Sequence, residues 1–415
     1  MTKSKEYFSI DKTSSGIRYF IEENKSFPSV IIGVFIKSGS RYERKNELGV
    51  AHFIEHAVFK GTKRRTSYQV SHEIECLGGG LNAYTSSEYS LFYTKLLSKH
   101  AEKGFDILSD ILINPLFHRT LLNRERAVIM EEINEYYDTP QDICQAEVLR
   151  SIWGDNSVAN NPLGEKETVE KLKRSDLLKW FNNSFNKENI FVSVVGDIDK
   201  KTISNYIEEY FSDMPHGSEI DTFNEPPTFL FQKRLFKKDG AQIHLAITLK
   251  GEKSFSRRSI LQSMYTTSLG GNMSSRLFQK LREKSGLVYT VYAYPVSFSD
   301  TGGTAIYASA LPENIEKVEN IINKEIDNIR VKGLSKEEFQ DVREYILGNL
   351  VLGLESSSGR MQRNGVQGMF QGKVKSIKAL MQEVESVRFD EFLAFAKDIS
   401  SSERGKVLVG DLQSE

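Results

Sequence analysis

The chain has 415 residues, of which 39% are hydrophobic and 27% charged, and its 55 basic and 56 acidic residues give a formal net charge of −1. This length exceeds what one hydrophobic core usually organises, so two domains of roughly 200 residues are expected. The balanced charge argues against a nucleic-acid partner, because phosphate binding needs a basic excess. Two cysteines cannot form a disulfide framework and favour a reducing compartment. The longest apolar run is too short to cross a membrane and no targeting signal is recognised, so we expect a cytoplasmic protein without membrane association.

Apolar periodicity predicts the elements of each half. In the first half, strands are predicted at 17–22, 29–37 and 89–97, and helices at 101–113, 122–137 and 172–181. In the second half, strands are predicted at 242–249, 288–296 and 304–310, and helices at 312–331 and 336–352. Strands interrupted by pairs of helices, without strict alternation, indicate an α+β fold in which helices cover antiparallel-rich sheets.

Short segments of the first half recur in the second half in the same order. Residues 194–198 (VVGDI) recur as 408–412 (LVGDL), an offset of 214, and Lys37 and Lys250 close similar apolar runs at an offset of 213. The tripeptide at 77–79 (LGG) recurs at 269–271 with an offset of only 192, which predicts about twenty additional residues in the first half, around 52–62. We therefore predict two homologous domains.

A proline-rich stretch indicates the boundary between these domains. Residues 214–229 contain Pro215, Pro226 and Pro227, three of the nine prolines in the chain. Such a composition is typical of an interdomain linker. The expected organisation is a first domain at 1–214, a linker at 215–229 and a homologous second domain at 230–415.

The pentad His52-Phe53-Ile54-Glu55-His56 points most directly to chemistry. On a helix, His52 and His56 lie one turn apart on one face, so both imidazoles can bind one metal ion. Glu55 projects beside that face and can accept a proton from water without being a ligand. The alternative is a core helix whose histidines bond to neighbouring groups, and the combination of two histidines with a glutamate argues against it.

A catalytic zinc ion normally has three protein ligands, and the predicted helix 122–137 offers carboxylates for the third. Glu132 lies on the apolar stripe of this helix, whereas Glu131 faces a more polar side. Glu125 precedes Glu132 by two turns and lies on nearly the same face. This spacing favours Glu132 as a ligand with Glu125 behind it. A solvated acidic face explains the spacing equally well, so the residues alone leave the third ligand open.

Motifs along almost the whole chain resemble those of the pitrilysin-type (M16) metallopeptidases, also called inverzincins because the pentad reverses the usual His-Glu-x-x-His order. The matching segments are 38–43 (SGSRYE), 49–56 (GVAHFIEH), 59–62 (FKGT), 78–79 (GG), 82–85 (NAYT), 125–132, 274–277 (SSRL) and 281–289 (LREKSGLVY). Ala57 departs from the pattern, because many members have Met there, and the difference should affect packing. Single-chain bacterial members, similar to mitochondrial processing peptidase subunits, are nearest in length.

The resemblance implies a zinc-dependent endopeptidase that cleaves extended or unfolded peptides and holds one zinc ion per chain. The implied zinc ligands are His52, His56 and Glu132. Glu55 is implied to activate water, and Glu125 to support the site.

The resemblance also implies where the peptide binds. Arg282 and Tyr289, in the second domain, are implied to hold the substrate backbone and the developing oxyanion. An exposed edge strand is implied to pair with the peptide, and it consists of Gly80, Leu81, Asn82, Ala83, Tyr84 and Thr85. Members of this length carry one half of a four-domain chamber, which implies a homodimer.

Two other functions compete with a peptidase. The first is a non-catalytic scaffold or core subunit of the same family; such members usually lack a ligand or the base, whereas this sequence retains them. The second is a metal-dependent hydrolase that acts on non-peptide bonds. The implied edge strand, and a sequence without a phosphate-binding loop, argue against it.

Overall fold

The computed structural model describes residues 7–220 and 225–412. Its strands, in chain order, are β1 Tyr7–Ser9, β2 Asp11–Lys12, β3 Arg18–Glu23, β4 Ser29–Ile36, β5 Gly80–Thr85, β6 Ser90–Leu97, β7 Ile190–Gly196, β8 Lys233–Lys237, β9 Ile243–Lys250, β10 Thr290–Ser297, β11 Gly302–Ala310, β12 Lys373–Lys375 and β13 Gly405–Gly410.

The α-helices are α1 Val50–Val58, α2 Ser67–Glu75, α3 Ala101–Ile113, α4 Arg119–Asp138, α5 Pro140–Trp153, α6 Lys166–Lys171, α7 Arg174–Ser184, α8 Lys200–Phe211, α9 Arg257–Gly270, α10 Ile315–Lys332, α11 Lys336–Gly353, α12 Ser357–Gln371, α13 Ile377–Glu385 and α14 Phe389–Ser400. Short 3-10 turns occur at Ser40–Tyr42, Ser98–His100, Ser157–Ala159 and Pro312–Asn314, and a π-helical segment at Phe278–Glu283. All eleven elements predicted from periodicity occur, with bounds within three residues of those expected. No helix within the described ranges is long and apolar enough to span a bilayer.

The described chain forms two compact units, and neither is one continuous segment. The first unit contains residues 7–133, 160–220 and 352–377, and the second contains 134–159, 225–351 and 378–412. The chain changes from the first unit to the second within the predicted linker 215–229. Residues 221–224 of this linker lie outside the described part of the chain. The units differ from the predicted domains 1–214 and 230–415 in two segments, since α5 belongs to the second unit and α12 to the first.

The first unit is built on a six-stranded sheet with the order β2-β3-β7-β4-β6-β5. Only β3 and β7 pair in parallel; the other neighbours are antiparallel. One face carries the main core, to which α1, α3, α4, α7 and α8 contribute buried apolar side chains. The other face is covered by α12, which buries Met361 and Met369 against Phe35 and Phe191. The antiparallel-rich α+β fold is therefore confirmed for this unit.

The second unit has a five-stranded sheet with the order β10-β11-β9-β13-β8, in which only β13 and β8 are parallel. Helices α9, α10 and α14 supply the core on one face. Helix α5 covers the other face, where Ile152 and Trp153 pack with Ala305 and Tyr307. In each unit, the second face of the sheet is covered by a helix that the predicted domain boundary had placed in the other domain. This helix buries the apolar side chains on that face.

The two sheets repeat one topology, which confirms the predicted duplication. Strands β4, β6, β7 and β5 correspond in pairing and direction to β9, β11, β13 and β10. Strands β4 and β9 begin at 29 and 243, an offset of 214, and β5 and β10 begin at 80 and 290, an offset of 210. The predicted surplus of about twenty residues in the first half was therefore wrong. The Gly-Gly at 78–79 precedes β5, whereas that at 270–271 ends α9, so the two are not equivalent positions.

Candidate metal centre

The helix that carries the pentad begins at a buried carboxyl group. The Oε2 atom of Glu43 accepts a hydrogen bond from the Gly49 amide (2.8 Å), and its Oε1 atom accepts one from the Ala51 amide (2.9 Å). Gly49 has φ +89°, a left-handed conformation that glycine adopts at little cost. Burial raises the pKa of Glu43 to about 8, and the two amide donors oppose that shift. These contacts fix the start of α1, whose third residue is His52.

Three side chains of the first unit converge on one point. The Nε2 atoms of His52 and His56 lie 3.6 Å and 3.5 Å from the same Oε2 atom of Glu132. Two ligand atoms on one tetrahedral zinc ion are about 3.3–3.5 Å apart, given zinc–ligand bonds of about 2.0–2.2 Å. Within residues 7–220 and 225–412, this is the only group of three histidine, cysteine or acidic side chains with candidate ligand atoms all within 4.8 Å. The donor set fits zinc.

The protonation state of His52 suits a metal ligand. Its side chain is 11% exposed, and burial, followed by the proximity of His56, lowers the pKa of its imidazole to about 3. A neutral imidazole has a lone pair for a metal ion, whereas a protonated ring would have to lose a proton first. The Nδ1 atom of His52 is buried and has no hydrogen-bond partner among the described residues. No hydrogen bond to this atom therefore orients the His52 ring.

Glu55 lies on the same helix but outside the three-residue cluster. Its Oε2 atom accepts a 2.6 Å hydrogen bond from the Thr85 hydroxyl, at the end of β5. Burial raises the pKa of Glu55, while the bond from Thr85 opposes the shift. One oxygen of this carboxylate is hydrogen-bonded to Thr85, and the other can accept a proton. Glu55 can therefore act as a base beside the candidate metal ligands.

Glu125 lies behind His56 and contacts a lysine. Its Oε2 atom is 3.4 Å from Nδ1 of His56, and its Oε1 atom is 3.0 Å from Nζ of Lys60. The carboxylate is only 10% exposed. Glu125 is therefore placed to accept a hydrogen bond from His56, and it is not itself part of the three-residue cluster.

Helix α4 presents its glutamates in different directions. Ile129 and Ile133 are buried in the core and determine which side of the helix faces the sheet. Glu132 then reaches the histidines, while Glu131 is exposed. The geometry places Glu132, and not Glu131, beside His52 and His56.

The segment expected to bind peptide is β5, the outermost strand of the first sheet. It pairs with β6 on one side, from Gly80 opposite Lys95 to Thr85 opposite Ser90. Its second edge has no partner strand among the described residues. Leu81 and Ala83 pack against the core, which fixes the strand, and the N–H and C=O groups of its outer edge are paired with no described strand.

Arg282 and Tyr289 lie near each other in the second unit. The guanidinium of Arg282, in the π-helical segment, is 5.6 Å from the ring centre of Tyr289 and 5.1 Å from that of Phe278. Tyr289 is 71% exposed, so its hydroxyl is accessible to solvent. The structure thus brings these two predicted residues together.

Sequence reasoning assigned no role to Glu43 or Lys60, although both lie in segments that carry the family resemblance. An ionisable residue shortly before or after the pentad helix was the signal that could have drawn attention to them. Thr85 was expected only as part of the substrate strand, and its bond to Glu55 depends on tertiary contacts.

Comparisons with known families agree with the geometry. The family profile described as "Insulinase (Peptidase family M16)" matches residues 18–166, and that described as "Peptidase M16 inactive domain" matches residues 171–346. The chain is 31% identical over 395 residues to the Bacillus subtilis protein named "uncharacterized zinc protease YmxG", covering 95% of this chain and 96% of that protein. It is also 31% identical over 411 residues to an "uncharacterized zinc protease" of Rickettsia bellii, covering 98% of each.

Solved structures share the fold. A peptidase M16 inactive domain from Pseudomonas fluorescens superposes with a TM-score of 0.89 at 16% identity, covering 98% of both chains. A protease from Helicobacter pylori superposes with the same TM-score at 18% identity, covering 96% of this chain and 98% of that one. With both profile matches and with relatives of this identity and coverage, the chain belongs to peptidase family M16.

Proposed function

We propose that the protein is a zinc-dependent endopeptidase that cleaves extended or unfolded peptides. The observation that supports this most strongly is the convergence of His52, His56 and Glu132, with Glu55 beside them and bonded elsewhere. Two imidazoles and one carboxylate leave a fourth position free on a tetrahedral zinc ion, which is the arrangement of catalytic zinc. Relatives named zinc proteases support the same conclusion.

When bound, zinc supplies a Lewis acid that acidifies water and polarises a carbonyl group. Glu55 is the base in this proposal. Thr85 holds its Oε2 atom, so Oε1 accepts the proton of the attacking water and later delivers it to the leaving amine. Burial raises the pKa of Glu55, which makes it a stronger base than an exposed glutamate. Glu125 accepts a hydrogen bond from Nδ1 of His56 and keeps that imidazole oriented.

The substrate binds, in this proposal, by adding a strand to β5. The outer edge of an edge strand offers backbone N–H and C=O groups at regular spacing, and an extended peptide satisfies them without regard to its side chains. Thr85 belongs to this strand and also holds Glu55, so peptide bound along β5 lies beside the base. Most strands of a folded protein are already paired or have protected edges, so the proposed substrates are extended or unfolded.

Arg282 and Tyr289 are assigned to substrate binding by the family resemblance. Tyr289 has an accessible hydroxyl that can donate a hydrogen bond to the oxyanion, and Arg282 carries donors for a substrate carbonyl.

The test is the Glu55→Gln variant. The amide keeps the shape of the side chain and loses its basicity, so zinc content should remain near one per chain while hydrolysis of a quenched-fluorescent peptide library falls by about 10²–10⁴-fold. Glu131→Gln is the matched control, because that carboxylate is exposed and should change neither quantity. Zinc-loaded wild-type protein that cleaved no peptide would favour a non-catalytic scaffold. Normal hydrolysis by zinc-loaded Glu55→Gln would refute the mechanism.

A further inference from the structure

Lys60 lies just after the metal-binding helix, in the turn that ends it. Its backbone amide donates to the carbonyl of Ala57 (3.1 Å), so the position of Lys60 is tied to the last turn of α1. Its Nζ atom is 3.0 Å from Oε1 of Glu125. The lysine side chain is 30% exposed and the carboxylate 10%, so the pair is largely shielded from water.

Glu125 uses its two oxygens for two different partners. One oxygen faces Lys60, and the other lies 3.4 Å from Nδ1 of His56. In the described part of the chain, Lys60 is the one lysine or arginine within ion-pair distance of this carboxylate. A shielded carboxylate without a cation is unfavourable and would turn toward solvent. The ammonium group therefore determines where the second oxygen points.

We propose that Lys60 is a positioning residue that orients the zinc ligand His56 by acting through Glu125. With Oε1 held by Lys60, Oε2 accepts the Nδ1–H of His56, and the lone pair of Nε2 points toward Glu132 and His52. His52 has no such support, because its Nδ1 atom lacks a partner among the described residues. His56 is thus the histidine whose orientation depends on the chain of contacts from Lys60 through Glu125.

This inference rests on the proposed zinc site, and its test measures metal affinity without measuring peptidase activity. Zinc dissociation constants are obtained by competition with a chromophoric chelator, and the melting temperature of the metal-free protein shows that each variant folds. Lys60→Met keeps the aliphatic stem and removes the charge. We expect it to bind zinc about tenfold more weakly than wild type, the size of effect seen when a group supporting a ligand is lost.

Two further variants test the route of the effect. Lys60→Arg retains a cation and should restore the affinity to within about threefold of wild type. In a Glu125→Gln background, Lys60→Met should weaken zinc binding no further, because the lysine acts through a carboxylate that is already gone. Lys63→Met is the matched control, because it removes the same charge from an exposed lysine three residues away, and its affinity should change by less than about twofold.

Each outcome is decisive. Lys60→Met with wild-type zinc affinity, a failure of Lys60→Arg to recover it, or an equal loss from Lys60→Met in the Glu125→Gln background would overturn this inference. Wild-type protein that bound no zinc in the same titration would instead overturn the proposed function.

Discussion

The close approach of α12 to the first sheet makes a specific prediction about Gly365. A Cβ atom built there would lie 2.0 Å from Cε2 and 2.2 Å from Cζ of Phe35, a ring that is completely buried. These distances are far below van der Waals contact, so Gly365→Ala forces the ring or the helix to move. Overpacking of this kind costs about 1–3 kcal/mol, and the rigidity of a fully buried ring places the cost near the upper end. The better helix propensity of alanine offsets about 1 kcal/mol of it. The expected net loss is about 1–2 kcal/mol of folding free energy.

Gly348→Ala is the matched control for this prediction. Gly348 lies inside α11, is exposed, and a Cβ atom there would meet nothing within 4 Å. The same substitution should therefore stabilise the protein, by roughly 0.5–1 kcal/mol. Both variants are compared with wild type by urea denaturation followed by far-ultraviolet circular dichroism. Opposite shifts of the transition midpoint are expected. A stabilising Gly365→Ala, similar to Gly348→Ala, would refute the packing argument for α12.

Three further predictions concern the metal centre and its surroundings. Glu132→Gln should lower zinc occupancy measured by mass spectrometry, whereas Glu131→Gln should not, because only the former removes an anionic ligand; the reverse order would contradict the ligand assignment. Tyr289→Phe should lower kcat and kcat/KM together by ~10² or more, while Arg282→Ala should raise KM, with zinc content unchanged in both; steady-state kinetics decide, and a normal kcat for Tyr289→Phe would exclude an oxyanion role. Glu43 has a pKa of about 8 in the folded protein, above its ordinary value of 4.5, so folding favours its protonated form. Its contribution to stability is fully present below pH 4.5 and is lost as pH rises toward 8. Relative to Glu43→Gln, the stability of wild type should fall across this window, and parallel pH profiles of the two proteins would show that Glu43 does not titrate there.

The sequence by itself determined the features whose geometry is local. His52, Glu55 and His56 fall within two turns of one helix, so their relative directions follow from helical periodicity. The elements with clear apolar periodicity were predicted because their pattern also lies within one short segment. The repeated strand sequences indicated that the chain is duplicated. Motifs shared with family M16 extended the prediction of the site to residues that are distant from the pentad in sequence.

Other features depended on packing between distant segments. The spacing of Glu125, Glu131 and Glu132 did not decide which carboxylate joins the histidines; the burial of Ile129 and Ile133 against the sheet core sets the rotation of α4 and decides it. The repeated Leu-Gly-Gly tripeptide led to a wrong alignment of the two halves, because the two copies occupy different positions in the two units.

Tertiary structure alone decided how the two units are composed. Helix α12 was not predicted from periodicity, since its glycines at 359, 365 and 368 lower helix propensity and resemble a loop. Those at 365 and 368 are present because the helix packs directly on Phe35 and Phe191, more than 170 residues away in sequence. Helix α5 likewise closes a sheet formed by the second half of the chain. A pattern within one segment shows which face is apolar, but the sheet that covers this face is determined only when the whole chain folds.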